Sequence, residues 1–267
     1  MNPEIKAFQK KIYAFFKDNR RDFPWRNTTD PYKILVSEVM LQQTQTSRVV
    51  EKYLAFIKSF PDTKTLAGAT FPEVLRLWQG LGYNRRAMWL KKSSEIISKD
   101  LGGIFPNTQK ELTKLPGIGT NTAGAIVAFA FNEPVVFIET NIRRVFIHDF
   151  FKDAENISDE EILPLIEEAL PPKDVREWYY ALMDYGVFLA KQTINPNRKS
   201  KHYSVQSKFK GSMRQTRGEI LKELLIGSQE SKDVKNKIKS EHFKIALEQL
   251  MDEGFVEKNG KVLQLKS

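Results

Sequence analysis

A chain of 267 residues, 41% hydrophobic and 28% charged, holds one large domain or two smaller ones with material for a real core. Its 42 Lys+Arg against 33 Asp+Glu leave a net charge of +9, which favours a polyanionic partner such as nucleic acid. The absence of cysteine excludes disulfides, thiolate catalysis, zinc fingers and cysteine-ligated clusters, and His148, His202 and His242 lack ligand spacing, so no metal site is expected.

The N-terminus has no signal-peptide run, and no stretch approaches eighteen apolar residues. A soluble protein with no membrane association is expected. Up to about residue 195 the apolar period is helical. Ile5, Phe8, Ile12, Phe15 and Phe16 form a stripe at helical spacing, Pro24 and Pro31 frame a loop, and a second helix runs through Ile34, Val36, Met40 and Leu41. Helical patterns follow over Arg48–Phe60, Phe71–Leu77, Arg85–Asp100, Gln109–Leu115, Asn121–Phe131, Asn141–Phe151, Asp159–Ala169 and Val175–Gln192, punctuated by Gly and Pro. The expectation is an all-α domain over residues 1–197.

From Asn195 to Arg217 the chain turns to Lys, Arg, Ser, Gln and Gly, the composition of a solvated basic linker, bounded here at 198–213. Beyond it Ile220–Leu225, Val234 with Ile238, and Phe243–Met251 mark three helices, and Phe255–Leu263 alternates around Asn259-Gly260, a strong hairpin signal. Three helices and a hairpin predict a winged helix-turn-helix over 214–267. Its basic second helix and wing are candidates for contact with DNA or with protein.

The string Leu115-Pro116-Gly117-Ile118-Gly119-Thr120 reads as a tight turn between two helices. Such a turn presents backbone N–H groups at a helix N-terminus, which bind a phosphate without reading sequence. Gly117, Gly119 and Thr120 are therefore candidate DNA-backbone contacts; a glycine-terminated turn of no special function is the plain alternative. The next helix is rich in small residues (Ala123, Gly124, Ala125, Ala128, Ala130), which allow close packing.

Further motifs are Pro24-Trp25, Asp30-Pro31-Tyr32-Lys33, Ser37-Glu38-Val39-Met40-Leu41-Gln42-Gln43-Thr44-Gln45, Leu77-Trp78-Gln79-Gly80-Leu81-Gly82-Tyr83 and Thr122-Ala123-Gly124-Ala125-Ile126. With the glycine turn, they make residues 23–151 resemble the helix-hairpin-helix DNA glycosylases of the MutY type, the adenine-DNA glycosylases that act opposite 8-oxoguanine. Weaker similarity extends to about Leu189. The resemblance implies an all-α helix-hairpin-helix glycosylase fold. A catalytic cleft would lie between residues 27–133 and a subdomain of 1–26 and 134–197. The implied partner is double-stranded DNA containing a mismatch or lesion, and the implied protein is a cytoplasmic, nucleoid-associated monomer.

Glycosidic-bond hydrolysis passes through an oxocarbenium-like state, so one acid protonates the leaving group while another carboxylate stabilises the sugar or activates water. By resemblance Glu38 is the general acid, and Glu139 stands at the family's catalytic Asp position, beside Asn141. On the residues alone, Glu38 also fits a helix-surface acid and Glu139 a helix cap. Bifunctional relatives place a Lys at position 121 to form a Schiff base; Asn121 cannot, so no β-lyase step is expected. Gln42, with Thr44 after it, and Tyr83 match residues that contact or wedge beside the opened base pair. Trp25 and Arg26 match the loop over the base pocket, with a core position the alternative for Trp25, and Arg143 and Arg144 are placed for phosphate contacts or are solvated charges.

Four departures accompany the resemblance. Glu139 is one methylene longer than Asp. The cysteine-ligated iron–sulfur cluster is absent, with Lys191–Lys199 in place of its loop. Tyr180 stands where Gln or Glu reads the adenine edge, and Asn121 where Tyr or Ser is usual. The C-terminal domain that recognises 8-oxoguanine is replaced by the winged-helix pattern. The reading is a cofactor-free monofunctional glycosylase acting on adenine opposite 8-oxoguanine or guanine. A thymine or uracil mismatch glycosylase and a non-catalytic lesion-binding scaffold stay open.

Overall fold

The computed structural model describes residues 2–266. In chain order the helices are α1 (Pro3–Asn19), α2 (Pro31–Leu41), α3 (Thr46–Ser59), α4 (Thr63–Gly68), α5 (Phe71–Trp78), α6 (Arg85–Glu95), α7 (Gln109–Leu112), α8 (Thr120–Ile126), α9 (Thr140–Phe150), α10 (Asp159–Glu168), α11 (Val175–Gln192) and α12 (Met213–Leu224). Strand β1 (Gln229–Glu230), helices α13 (Ser231–Ile238) and α14 (Phe243–Asp252), and strands β2 (Val256–Asn259) and β3 (Val262–Leu265) complete the chain. These fall into two compact units, Met1–Glu38 with Phe105–Val205, and Val39–Ile104 with Gln206–Ser267. Among the described residues no helix is long and apolar enough to cross a membrane.

The first unit is helical because its apolar residues recur at helical spacing and its helix ends are capped. Asn2 accepts from the Glu4 backbone N–H ahead of Pro3, and Ser158 and Glu161 close a capping box on α10. Ile5, Phe8, Ile12 and Phe16 of α1 are buried; Phe8 lies 5.2 Å from Phe146 of α9 and edge-on to Trp178 of α11 at 5.9 Å. Full burial of each such side chain contributes about 1.5–3 kcal/mol. Helix α8 runs on as a π-helical segment, Val127–Phe131, and stops at Asn132 in the left-handed conformation. The expected close packing of its small residues is present: a Cβ on Gly124 would lie 2.6 Å from Phe137 Cβ.

In the second unit Val49, Tyr53, Phe56, Leu66, Val74, Leu75, Trp78 and Leu90 form the core. Helix α4 was not among the predicted elements. It is six residues long with two buried apolar positions, too short to show a period, although Asp62 caps it by accepting from Thr65 N at 2.7 Å. Phe255, at the start of the hairpin, packs edge-on to Phe71 of α5 at 5.3 Å, so residues 206–267 and 39–104 share one core.

The predicted hairpin is part of a three-stranded antiparallel sheet in the order β1-β3-β2. Strand β1 is two residues long and has no sequence signal of its own. The turn is also displaced: Asn259 pairs with Val262, leaving Gly260 (φ +61°) and Lys261 as the loop. A turn at Asn259-Gly260 would set Lys258 opposite Lys261, a like-charge pair that the observed register avoids by pairing Lys258 with Leu263.

The predicted solvated linker is corrected at its start. Residues 196–199 form a 3-10 turn, Ile157 N donates to Lys199 O and Lys201 N to Ile157 O, and the Asn197 side chain donates to Thr140 O. Backbone pairing and a buried Asn, neither visible in a basic composition, hold this stretch against the first unit.

Candidate active site

Glu38 lies on α2, and Glu139 is the N-cap of α9, in extended conformation at the end of the segment that follows Asn132. Both side chains keep partial access to solvent, and both carboxyls lie deep among protein atoms. They sit in unlike settings. Among the described residues the Glu38 carboxyl accepts no hydrogen bond. Desolvation, reinforced by the charge of Glu139 and opposed by Arg26, pushes it up to about 8, so it is a neutral acid at pH 7.

Glu139 accepts from Asn141 N (2.9 Å), Ile142 N (3.0 Å) and Asn141 Nδ2 (3.1 Å). Burial raises its pKa from the ordinary value, and the two backbone donors, Arg144 and Arg143 oppose the rise. The helix cap, the plain alternative for Glu139 in the sequence, is the geometry observed. Both pKa values are raised by burial, but among the described residues only Glu139 is held by hydrogen-bond donors, so the two carboxyls sit in unlike settings for acid and anion roles.

Asn141 relays this arrangement: its Oδ1 accepts from Arg144 Nη1 at 2.7 Å, and the same nitrogen donates to Gly186 O on α11 at 2.9 Å. Gly186 has to be glycine, since a Cβ there would lie 2.5 Å from Asn141 O. Arg144 is buried, with Nε donating to Asn195, so the structure makes it a positioning group instead of the expected phosphate contact. Arg143 is held in a two-pronged ion pair with Asp159 (2.6 and 2.7 Å). The pairing partner lies sixteen residues away, beyond the reach of local sequence patterns.

Asn121 also has a structural task. Its Oδ1 accepts from Ile138 N at 3.2 Å, tying the start of α8 to the segment that delivers Glu139. Gly117 takes a left-handed conformation (φ +75°) at the helix-turn-helix, while Gly119 and Thr120 are exposed at the N-terminus of α8.

Around Glu38, Arg26 and Tyr180 are buried. The Tyr180 ring stacks on Phe129 at 4.6 Å on one side, and the Arg26 guanidinium covers it at 4.4 Å. Tyr180 is 3% exposed, so its ring offers no open face to a base; burial and the charge of Glu38 raise its hydroxyl pKa. Arg26 makes two 2.8 Å bonds to Asp184, which also accepts from Arg21 N and Nε. Trp25 is buried and stacked on Phe23 at 5.1 Å. Asp184 was not singled out in the sequence; its only signal is an acid within the apolar pattern of α11.

The remaining predicted residues, Gln42, Thr44 and Tyr83, lie in the second unit. Gln43 (φ +54°) and Tyr83 (φ +49°) hold left-handed backbone unusual for side chains of their size. What fixes them is Arg86, which sequence reasoning missed. Buried, it donates to Val39 O, Met40 O, Gln42 O, Leu81 O, Gly82 O and Thr44 Oγ1. Thr44 is thereby a loop anchor. Tyr83 is not a free tip: its hydroxyl accepts from Arg214 Nη1 (2.6 Å) and from Gln206.

Residues 36–172 match the family described as HhH-GPD superfamily base excision DNA repair protein. An adenine DNA glycosylase of Buchnera aphidicola subsp. Baizongia pistaciae is 40% identical over 183 residues, covering 68% of this chain and 52% of the relative. One from Mycolicibacterium smegmatis is 36% identical, covering 66% and 61%. Among solved structures, a thermostable thymine-DNA glycosylase superposes with a TM-score of 0.64 at 28% identity, covering 70% of this chain and 88% of that one. The chain thus spans between about a third and three fifths of the length of the curated relatives it matches, 36% to 61%.

Proposed function

As the chain belongs to the HhH-GPD superfamily of base excision DNA repair proteins, we propose that it is a monofunctional DNA glycosylase acting on a flipped mismatched base in double-stranded DNA. Its first substrate is adenine opposite 8-oxoguanine or guanine. The observation that carries this reading is the unlike pair of carboxyls. Glu38, neutral and without a hydrogen bond among the described residues, protonates a ring nitrogen of the departing base. Glu139, held by three donors, supplies the negative charge that stabilises the oxocarbenium-like sugar. Asn121 has no amine to attack the sugar, so water completes the reaction and an abasic site remains. A chain without cysteine works without an iron–sulfur cluster.

The three helices and three-stranded sheet of residues 213–265 support the winged helix-turn-helix reading of the C-terminal part. The similarity to the adenine DNA glycosylases favours adenine. A second reading, thymine or uracil opposite guanine, draws on the likeness to the thymine-DNA glycosylase and on Tyr180 in place of an amide or acid.

The test is single-turnover excision on labelled duplexes containing adenine, thymine or uracil opposite guanine or 8-oxoguanine, with alkali to reveal abasic sites. Adenine excision is expected, lost in Glu139→Gln while duplex binding persists. Release of thymine or uracil instead would establish the second reading. Tight binding with no excision of any base would leave a recognition scaffold.

Gly186→Ala is expected to lower excision by about 100-fold, because displacing Asn141 moves Glu139 on the scale of an ångström. The overpacking itself costs about 1–3 kcal/mol. A native excision rate in this variant would show that the contact does not position Glu139.

A further inference from the structure

In the second unit a cavity of about 430 Å³ is lined by Gln42, Tyr83 and Trp89 on one side and by Met213 and Arg214 of α12 on the other. Four arginines (Arg85, Arg86, Arg214, Arg217) border it against one carboxylate, Glu253. Glu253 is already taken: Arg85 and Arg217 both pair with it, the latter at 2.6 Å. Arg214 has only neutral partners, the Tyr83 hydroxyl and the carbonyl and hydroxyl of Ser207, and among the described residues no carboxylate pairs with it. Lys208 and Lys210 are exposed on the segment leading to α12. The cavity is therefore framed by hydrogen-bonded side chains and carries uncompensated positive charge, the setting that draws in a phosphate diester.

The sequence pointed to α13 and the wing as the basic face of this module. On that face Lys237 is occupied by Glu223 and Gln229. We infer that unit 2 meets DNA through residues 206–217, with Arg214 beside Tyr83 holding a backbone phosphate of the duplex, and not through α13 and the wing. This rests on the glycosylase reading and names the surface that serves it. Because Arg214 and Gln206 grip the Tyr83 hydroxyl, the C-terminal part also sets the position of the residue read from sequence as the duplex wedge.

The experiment is binding of a labelled duplex with one adenine–guanine mismatch to the full chain between about 50 and 200 mM salt, where each phosphate contact adds about 0.9 to the slope of log K against log salt. The variants are Arg214→Gln, which retains donors for Tyr83 and Ser207 while losing the charge, Arg214→Lys, and the double variant Lys232→Ala/Lys235→Ala. Arg214→Gln is expected to keep the native melting temperature, bind several-fold more weakly and lose about one from the slope. Arg214→Lys should restore the slope, and the α13 variant should match the unaltered chain. An unchanged slope in Arg214→Gln, or a loss confined to the α13 variant, would overturn the inference while leaving the glycosylase reading intact. Failure of the unaltered chain to bind the duplex would overturn both.

Discussion

Glu38→Gln is expected to lower single-turnover excision by about 10²–10⁴-fold and, at the same time, to make the folded protein more stable at pH 8. Glutamine fills the same space and cannot deliver a proton. The stability gain follows from the acid's setting. With its pKa pushed up to about 8 from 4.5, Glu38 keeps a proton in the folded chain that the unfolded chain releases. The stability cost is absent below the ordinary carboxylate range, grows as pH rises from there, and is fully present above about 8. Each kcal/mol recovered raises Tm by about 2–4 °C in a chain of this size. Thermal melts of both proteins at pH 4.5 and pH 8 should therefore coincide at the lower pH and separate at the higher, with the variant above.

The same group sets the pH profile of the reaction. Excision should decline as pH rises through about 8 and Glu38 ionises. It should also decline on the acid side as Glu139 gains a proton, at a pH above the ordinary carboxylate range because burial raises its pKa. A Glu38→Gln protein that excises at the native rate would remove Glu38 as the acid. A variant less stable than native at pH 8 would remove desolvation as the cause of the raised pKa.

Asp184→Ala is expected to cost about 3–5 kcal/mol of stability, the range for leaving one half of a buried ion pair uncompensated. Asp184 is 3% exposed and accepts four hydrogen bonds, two from Arg26 and two from Arg21. Arg21 is partly exposed and can turn to water. Arg26 cannot: its side chain is 4% exposed and lies against Tyr180 and Phe23. The loss should appear as a fall in Tm of order 10 °C. The apolar double variant Arg26→Met/Asp184→Leu should recover most of it, since no charge is then left without a partner. A change of less than about 0.5 kcal/mol on Asp184→Ala, the level of an ordinary surface substitution, would mean that Arg26 finds water or another acceptor.

Much of the helical framework was legible because it rests on local rules. The stripe Ile5, Phe8, Ile12, Phe16 is the buried face of α1, and the predicted glycine turn has Gly117 where a left-handed residue is needed. Local rules fail where elements are too short to show a period, as in α4 and β1. They also fail where a cross-strand pair outweighs a turn preference, as in the shift from Asn259-Gly260 to Gly260-Lys261.

Charged residues followed a different rule. Arg86 carries only a helical pattern in the sequence, yet it ties the loop bearing Gln42, through carbonyls more than forty residues away, to the loop bearing Tyr83, through Leu81 O and Gly82 O. For Arg143 and Arg144 the sequence leaves phosphate contact and solvated charge open, because an arginine early in a helix has the same appearance whether or not a carboxylate or an amide waits across the fold.

The sequence by itself determined the helix-rich framework, the turn that exposes backbone N–H groups, the two carboxyls at positions 38 and 139, and the absence of any thiol ligand. Each of these follows from residue type and near-neighbour spacing. Only the tertiary structure decided that the Glu38 carboxyl is desolvated while three donors hold that of Glu139, that Tyr180 is buried against Phe129 and Arg26, and that Tyr83 is held by Arg214. Protonation and accessibility depend on desolvation and on the field of groups brought together from distant parts of the chain. That field exists only once the chain has folded.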